Sequence, residues 1–403
     1  MKVIFICSRD FQVRNYLSLV KSFEEENVKM EPIFLSISKW SHGGASRVLS
    51  HNNSFFYEMP RIFSERKPYF FKKTAFIELL LSVPILVYFL AKVFKKHRPD
   101  AIIVEQKKGF FEFILSAFAQ KYQISLILYQ HGYEMFHNSK RDRISTMFRS
   151  WVLRVLSYNF TTVLISGLNS SSSRKIKYDL CLIYSQYAER IARQQLDCKE
   201  YYICGNLSIR SMAGLKNSGK ESTDGVLICS NGFLRYSNLK LRSKTLELIS
   251  SLYHSFRECA PVKIRLKPGE FVDRDEFSKY SLSSQVFADN TVAMSSQLQE
   301  YKYVICSDIS TVGLECFVFN KKLLTYSVGE SPYNFFSSLY QKMDVNTIGS
   351  VADHGRCNER FDHFSDVNAS DFEFYTGILK PGGNANVVNK IYKAIQQKKD
   401  TYE

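Results

Sequence analysis

The sequence lacks most of the features that would classify it at once. It has no G-x-x-x-x-G-K-[ST] or G-x-G-x-x-G loop, no H-E-x-x-H, no G-x-S-x-G and no Cys/His set at metal-ligand spacing. These absences exclude the P-loop, dinucleotide-fingerprint, zincin and nucleophile-elbow motifs. None of the nine cysteines stands at C-x-x-C spacing, their number is odd and several lie inside apolar runs, so they read as reduced, core-filling thiols. There is no internal repeat and no low-complexity tract. Acid is also in short supply: 54 Lys+Arg face 39 Asp+Glu, a formal charge of +15. Such an excess favours an anionic membrane, nucleic acid or phosphorylated ligands. The absence of any recognition-helix signature or base-stacking motif counts against nucleic acid.

What is present is globular, with 45% hydrophobic and 23% charged residues, a balance that folds rather than stays disordered. A length of 403 residues suggests two or three domains. The opening "MKVIFICSRD" is too short for a signal peptide and reads as a first buried strand. Short apolar runs at 2–7, 32–37, 101–104, 125–129, 161–166, 180–184 and 201–204 predict seven strands. Runs at 225–230, 262–266, 285–288, 303–307 and 323–327 predict five more, with room for a helix between most neighbours. That alternation predicts an α/β chain of two Rossmann-like, doubly wound domains, with ligands in a cleft outside the carboxyl ends of the strands. Residues 210–224 are polar and Gly/Ser-rich and read as a linker. The division is therefore a first domain over 1–209, a second over 225–380, and a final helix over 381–403 that can cross back to the first.

Residues 75–91, "AFIELLLSVPILVYFLA", form the most hydrophobic segment, and lysines flank them on both sides. They fall short of the about twenty apolar residues a bilayer span needs, and the strand after them belongs to a soluble sheet. They suit either a core helix or one that lays an apolar, lysine-rimmed face on a membrane. Residues 139–160 carry an apolar stripe of Met147, Phe148, Trp151, Val152 and Val155 beside five basic residues. That pattern fits an anionic lipid surface or a solvated outer helix.

The chemistry concentrates in "SDISTVGLE". The strand ends at Asp308, and Ser310 and Thr311 stand where the next helix begins. Free backbone N–H groups, the helix dipole and two hydroxyls there can hold a phosphate. Glu315 lies four residues past Thr311, hence on the same helix face, where it can accept hydrogen bonds from both hydroxyls of a ribose. A capping box needs its acid three residues past the cap, and those positions are Gly313 and Leu314. In "IRLKPGE", Lys267 ends a strand and can neutralise a diphosphate; in "LICSNGFLRY", Ser230, Asn231, Gly232 and Arg235 form a loop a ligand can approach closely. In the first half, "LILYQHG" places His131 at a strand end, with Glu105 and Lys107 after the neighbouring strand. His131 or Glu105 can serve as base, or Glu105 can orient His131. The first loop adds Arg9, Asp10 and Arg14. Ionisable groups gathered at strand ends point to an enzyme.

The motifs "RPDAIIVEQ", "LILYQHG", "YYICGN", "RLKPGE" and "SDISTVGLECFVFNKKLLTY" together resemble two-domain GT-B glycosyltransferases of bacterial surface polysaccharide (lipopolysaccharide, O-antigen or capsule) synthesis. His131-Gly132 and Asp308-x-Ser310-Thr311 also match related CDP-glycerol glycerophosphotransferases, whereas Lys267-Pro268-Gly269 lacks their histidine. The resemblance implies a cytoplasmic, membrane-peripheral transferase. It would move a sugar from a nucleotide-activated donor to a lipid-linked or growing glycan, with no metal or other cofactor. Donor contacts would be Ser230, Asn231, Gly232, Arg235, Lys267, Asp308, Ser310, Thr311 and Glu315. Acceptor contacts would be Arg9, Asp10, Arg14 and Lys107. The rivals are a non-hydrolysing sugar-nucleotide epimerase, a glycerophosphotransferase, and a basic membrane- or polyanion-binding scaffold.

Overall fold

The computed structural model describes residues 1–8, 10–37, 45–60, 75–105, 110–130, 176–206, 222–230, 239–267, 270, 274–289, 292–308, 310–328, 335–348, 361–366, 373–374, 377 and 383–401. The chain divides into two compact units, Met1–Ser208 with Leu379–Glu403, and Ile209–Ile378.

The first unit is built on a seven-stranded, all-parallel sheet in the order β3-β2-β1-β4-β5-β6-β7. Its strands are β1 (Lys2–Cys7), β2 (Glu31–Ser36), β3 (Phe56–Glu58), β4 (Ala101–Val104), β5 (Ser125–Tyr129), β6 (Lys177–Ile183) and β7 (Asp197–Ile203). The central strands β1, β4 and β5 are buried almost end to end, as expected where helices cover both faces of a parallel sheet. The covering helices are α1 (Asp10–Glu25), α2 (Ala45–His51), α3 (Ala75–His97), α4 (Phe110–Lys121) and α5 (Gln186–Gln195).

The apolar segment 75–91 becomes the first part of α3, which continues through Pro84. Leu86, Val87, Leu90, Val93 and Phe94 of this helix join the main core with residues of β4, β5 and α4. Each such burial stabilises by roughly 1.5–3 kcal/mol, enough together to offset the about 3 kcal/mol that an interior proline costs a helix. No helix among the described residues is long and apolar enough to cross a membrane.

The second unit carries a five-stranded parallel sheet, order β12-β11-β10-β8-β9. Its strands are β8 (Thr223–Cys229), β9 (Val262–Arg265), β10 (Tyr301–Ser307), β11 (Lys322–Tyr326) and β12 (Thr347–Ile348). Its helices are α6 (Leu239–Phe256), α7 (Arg274–Lys279), α8 (Met294–Glu300), α9 (Val312–Val318) and α10 (Phe335–Lys342). The last helix, α11 (Gly383–Asp400), belongs to the first unit. Its buried Val387, Val388, Ile391, Ala394 and Ile395 form one stripe at helical spacing, packed toward α1, β5 and β6.

Both sheets agree in strand number with the sequence expectation but differ in membership. Residues 285–288 are not a strand. Ser284–Val286 is a single 3-10 turn, and only an isolated bridge from Phe287 to Ile264 remains; the two-residue β12 supplies the fifth strand. In the first sheet β3 is present, while the expected strand 161–166 and the amphipathic segment 139–160 lie outside the described residues. The cysteines depart in one respect from the all-reduced expectation. Among the described residues seven are free, but Cys259 is disulfide-bonded.

Candidate functional site

A doubly wound sheet opens where its strand order reverses, because the connecting helices on either side of that point diverge. In the second unit the reversal lies between β8 and β10, since β9 follows β8 outward on one side and β11 and β12 follow β10 on the other. Ser230 follows β8 and Asp308 follows β10, so both stand at that opening.

Ser230 is 4% exposed and its position is fixed on all sides. Its N–H donates to the Arg265 carbonyl at 2.9 Å, and its hydroxyl donates to the Glu270 carboxylate. The same hydroxyl accepts from the Lys267 N–H at 2.7 Å. That N–H also reaches Glu270 Oε2 at 2.8 Å, and the Glu270 N–H returns to the Lys267 carbonyl at 2.9 Å. Lys267 and Glu270 are thus tied to each other and to the end of β8, with the lysine exposed. Glu270, buried at the centre, was not singled out from the sequence, although its place beside Lys267 was visible.

On the other side of the opening, the Asp308 N–H donates to the Tyr326 carbonyl at 2.8 Å, and the Tyr326 hydroxyl donates to the Cys229 carbonyl at 3.0 Å. Helix α9 begins just beyond. Ser310 Oγ accepts from the Val312 N–H at 3.3 Å, so Ser310 provides the side-chain cap, while Thr311 makes no side-chain cap bond and is exposed. The Tyr340 hydroxyl donates to the Ser310 carbonyl. Its ring lies over Gly313, where an added Cβ would come within 2.7 Å of the ring's Cζ. Only a glycine lets these two segments approach so closely.

Glu315, in the first turn of α9, is the least satisfied group in this region. The residue is partly buried, yet its Oε2 is shielded from solvent and has no hydrogen-bond partner. Burial pushes its carboxyl up to about 7, with the Arg265 guanidinium pulling the other way. Arg265 is the last residue of β9 and only 4% exposed. Its Nη1 donates to Gln297 and, at 3.3 Å, to the Asp289 carbonyl, and its Nη2 donates to the Val292 carbonyl at 2.9 Å. Its Nε has no partner. A buried acceptor and a buried donor, close enough to perturb each other and neither hydrogen-bonded, leave an unfilled polar site. Sequence reading missed Arg265, because an arginine inside an apolar strand looks like an outward-facing residue until its fold-back partners at 289–297 are known.

In the first unit the order reverses between β1 and β4. Glu105 follows β4, is 2% exposed, and has both oxygens shielded from solvent. Burial raises its carboxyl well above the usual range, against a hydrogen bond from Gln12. Gln12 in turn accepts from the Ser8 N–H at 2.6 Å and from the Ser8 hydroxyl at 2.7 Å. Arg14 is exposed on α1 and lines a groove of about 470 Å³ with Leu17, Arg47, Val48, His51 and Asn52. Asp10 opens α1, its side chain outside the described set. His131, Asn231, Gly232, Arg235, Arg9 and Lys107 lie outside the described residues. No group of three or more potential metal ligands occurs among the described residues.

No protein-family model matches the chain, and no curated protein matches it. Solved structures do. The glycosyltransferase SnogD from Streptomyces nogalater is 10% identical, with a TM-score of 0.61 over 98% of this chain and 99% of that one. The UDP-GlcNAc 2-epimerase from Methanocaldococcus jannaschii is 11% identical, with a TM-score of 0.53 over 98% of this chain and 100% of that one. MurG from Acinetobacter baumannii is 10% identical, with a TM-score of 0.52 over 97% and 99%. At such identities the likeness is one of fold. The chain has the GT-B fold, two Rossmann-like domains each built on a parallel sheet.

Proposed function

We propose that the protein is a glycosyltransferase that moves a sugar from a nucleotide-activated donor to a lipid-linked or growing surface glycan. The observation that carries this is the unfilled pair of Glu315, on the helix after β10, and Arg265, at the end of β9. Two vicinal ribose hydroxyls are donors of the right number and spacing for one carboxylate. Their binding would satisfy Glu315, and the Arg265 guanidinium, which pulls its carboxyl down, favours the anion in a desolvated place.

The exposed Lys267, the hydroxyls of Ser310 and Thr311, and Asn231, Gly232 and Arg235 would then surround the phosphates. Ser230 and Glu270 hold the lysine turn in place, and Asp308 borders the opening. Charge developing on the departing phosphate would be stabilised by these protein groups, so the reaction is proposed to need no metal. His131 is the proposed base. The shielded carboxyl of Glu105 suits an orienting role better than direct proton transfer, because a base must reach the acceptor hydroxyl. Arg9, Asp10, Arg14 and Lys107 are proposed acceptor contacts, and the enzyme is proposed to work at the inner face of an anionic membrane in bacterial surface polysaccharide synthesis.

A sugar-nucleotide epimerase is the second reading, because epimerases and transferases alike share this fold. Incubation with a nucleotide sugar separates the two. A transferase consumes donor in proportion to added acceptor and releases the nucleotide. An epimerase converts donor alone, and that outcome would overturn the transfer reading.

A further inference from the structure

Six large hydrophobic side chains are exposed among the described residues, and three of them, Phe55 before β3 and Ile85 and Tyr88 on α3, are 64%, 43% and 64% exposed. Phe55 leads into the edge strand β3, and its ring meets that of Tyr57 edge-on at 5.1 Å. Tyr57 in turn meets Phe89 of α3 at 6.2 Å, beside Tyr88. Ile85 and Tyr88 lie one turn apart on the side of α3 opposite its buried Leu86, Leu90 and Val93. Phe55, Ile85 and Tyr88 therefore face solvent beside Tyr57 and Phe89, which pack against the core, and exposed apolar groups of this kind mark contact surfaces.

The rim of the patch is cationic. Lys92 Nζ stands 5.0 Å over the Tyr88 ring, Lys96 Nζ donates to the Tyr57 hydroxyl at 3.0 Å, and Lys95 is exposed between them. From Pro84 to His97 α3 has no acidic residue. Tyrosine presents an apolar ring with a polar end, and lysine lays an apolar stem under a charged head. These are side chains for a boundary between hydrocarbon and anionic headgroups.

We infer that this surface docks on an anionic lipid bilayer, with Phe55, Ile85 and Tyr88 at the headgroup–acyl boundary and Lys92, Lys95 and Lys96 against lipid phosphates. The inference gives a definite surface to the membrane contact in the functional reading above. It does not depend on the nucleotide site, so failure of either leaves the other standing.

The test is flotation of the full chain with vesicles of phosphatidylcholine and with equimolar phosphatidylcholine and phosphatidylglycerol. The chain is expected to float with the anionic vesicles, more weakly at high salt, and to stay behind with the neutral ones. Phe55→Ser with Tyr88→Ser, and separately Lys92→Glu with Lys95→Glu, should each lower partition at least about tenfold, at unchanged Tm. All four side chains are solvent-exposed, so the variants should fold. No flotation of the wild type, or unchanged partition in both variants, would overturn the inference. So would a concentration-dependent dimer that the same variants abolish while vesicle binding persists, since the patch would then be a protein interface.

Discussion

Glu315 ties the site to pH. Its carboxyl sits at about 7 in the fold against an ordinary 4.5. Between those values the folded chain binds a proton that the unfolded chain has released, so this group's contribution to stability falls as pH rises. The loss is at most about 3 kcal/mol, fully present above pH 7, and smaller to the extent that the side chain is solvated. Chemical denaturation between about pH 5 and pH 8 should show this slope in the wild type and not in Glu315→Gln. Hydrogen bonds from a ligand favour the charged form. Nucleotide affinity should therefore tighten as pH rises through about 7, with a proton released on binding, which calorimetry in buffers of different ionisation enthalpy measures. Equal heats in all buffers would mean that no such linkage exists.

Gly313 makes a different kind of prediction. With Tyr340 against it, Gly313→Ala must move either the ring or the start of α9, costing about 1–3 kcal/mol as overpacking does and weakening nucleotide binding in parallel. A variant as stable as wild type would contradict that packing. The place of Glu315 in the first turn of the helix after β10 was legible in the spacing of "SDISTVGLE", because helix geometry fixes which residues share a face. Arg265 and Glu270 were not, since their importance arises from contacts with residues 289–297 and 230 that only the folded chain brings close.

Among the elements, α11 shows how a terminal segment completes a unit. Asp179 of β6, with 8% of its side chain exposed, accepts from Lys398 at 3.1 Å and Lys199 at 2.7 Å and from the Leu126 N–H at 3.0 Å. Lys399 reaches Asp100 at 2.7 Å, and Ser125 Oγ donates to the Ala394 carbonyl at 3.1 Å. Asp179→Ala would take the carboxylate away from a nearly buried lysine and remove the acceptor of the Leu126 N–H, and should cost about 1–3 kcal/mol, read as a lowered denaturation midpoint. A loss under about 0.5 kcal/mol, as for an exposed pair, would show that the clamp contributes little. The long, uniformly apolar strands were legible because burial on both faces leaves a continuous hydrophobic run. The short ones were not: β3 has three residues and β12 two, too few for any pattern, and the apolar run at 285–288 closes a 3-10 turn instead.

Over the chain as a unit, strand–helix alternation and the polar stretch near residue 210 carry the GT-B fold, although no family model or curated protein matches. Alternation reports the layering of sheets and helices, which many sequences share. The sugar, the linkage and the acceptor depend on a few side chains at loop ends, which no periodic pattern encodes. The formal charge of +15 suits the two proposed anionic partners, a nucleotide sugar and a lipid surface, and each proposal has its own test.

The most direct measurement is a thermal-shift and calorimetric comparison of wild type and Glu315→Ala against UDP-, GDP-, CMP- and CDP-linked compounds. One nucleotide should raise the wild-type Tm, as any ligand selective for the folded state does. The variant, folded and without the unsatisfied carboxylate, should lose that affinity by about tenfold or more. Equal affinity of both proteins for the same nucleotide would contradict the assignment of the donor site to Glu315.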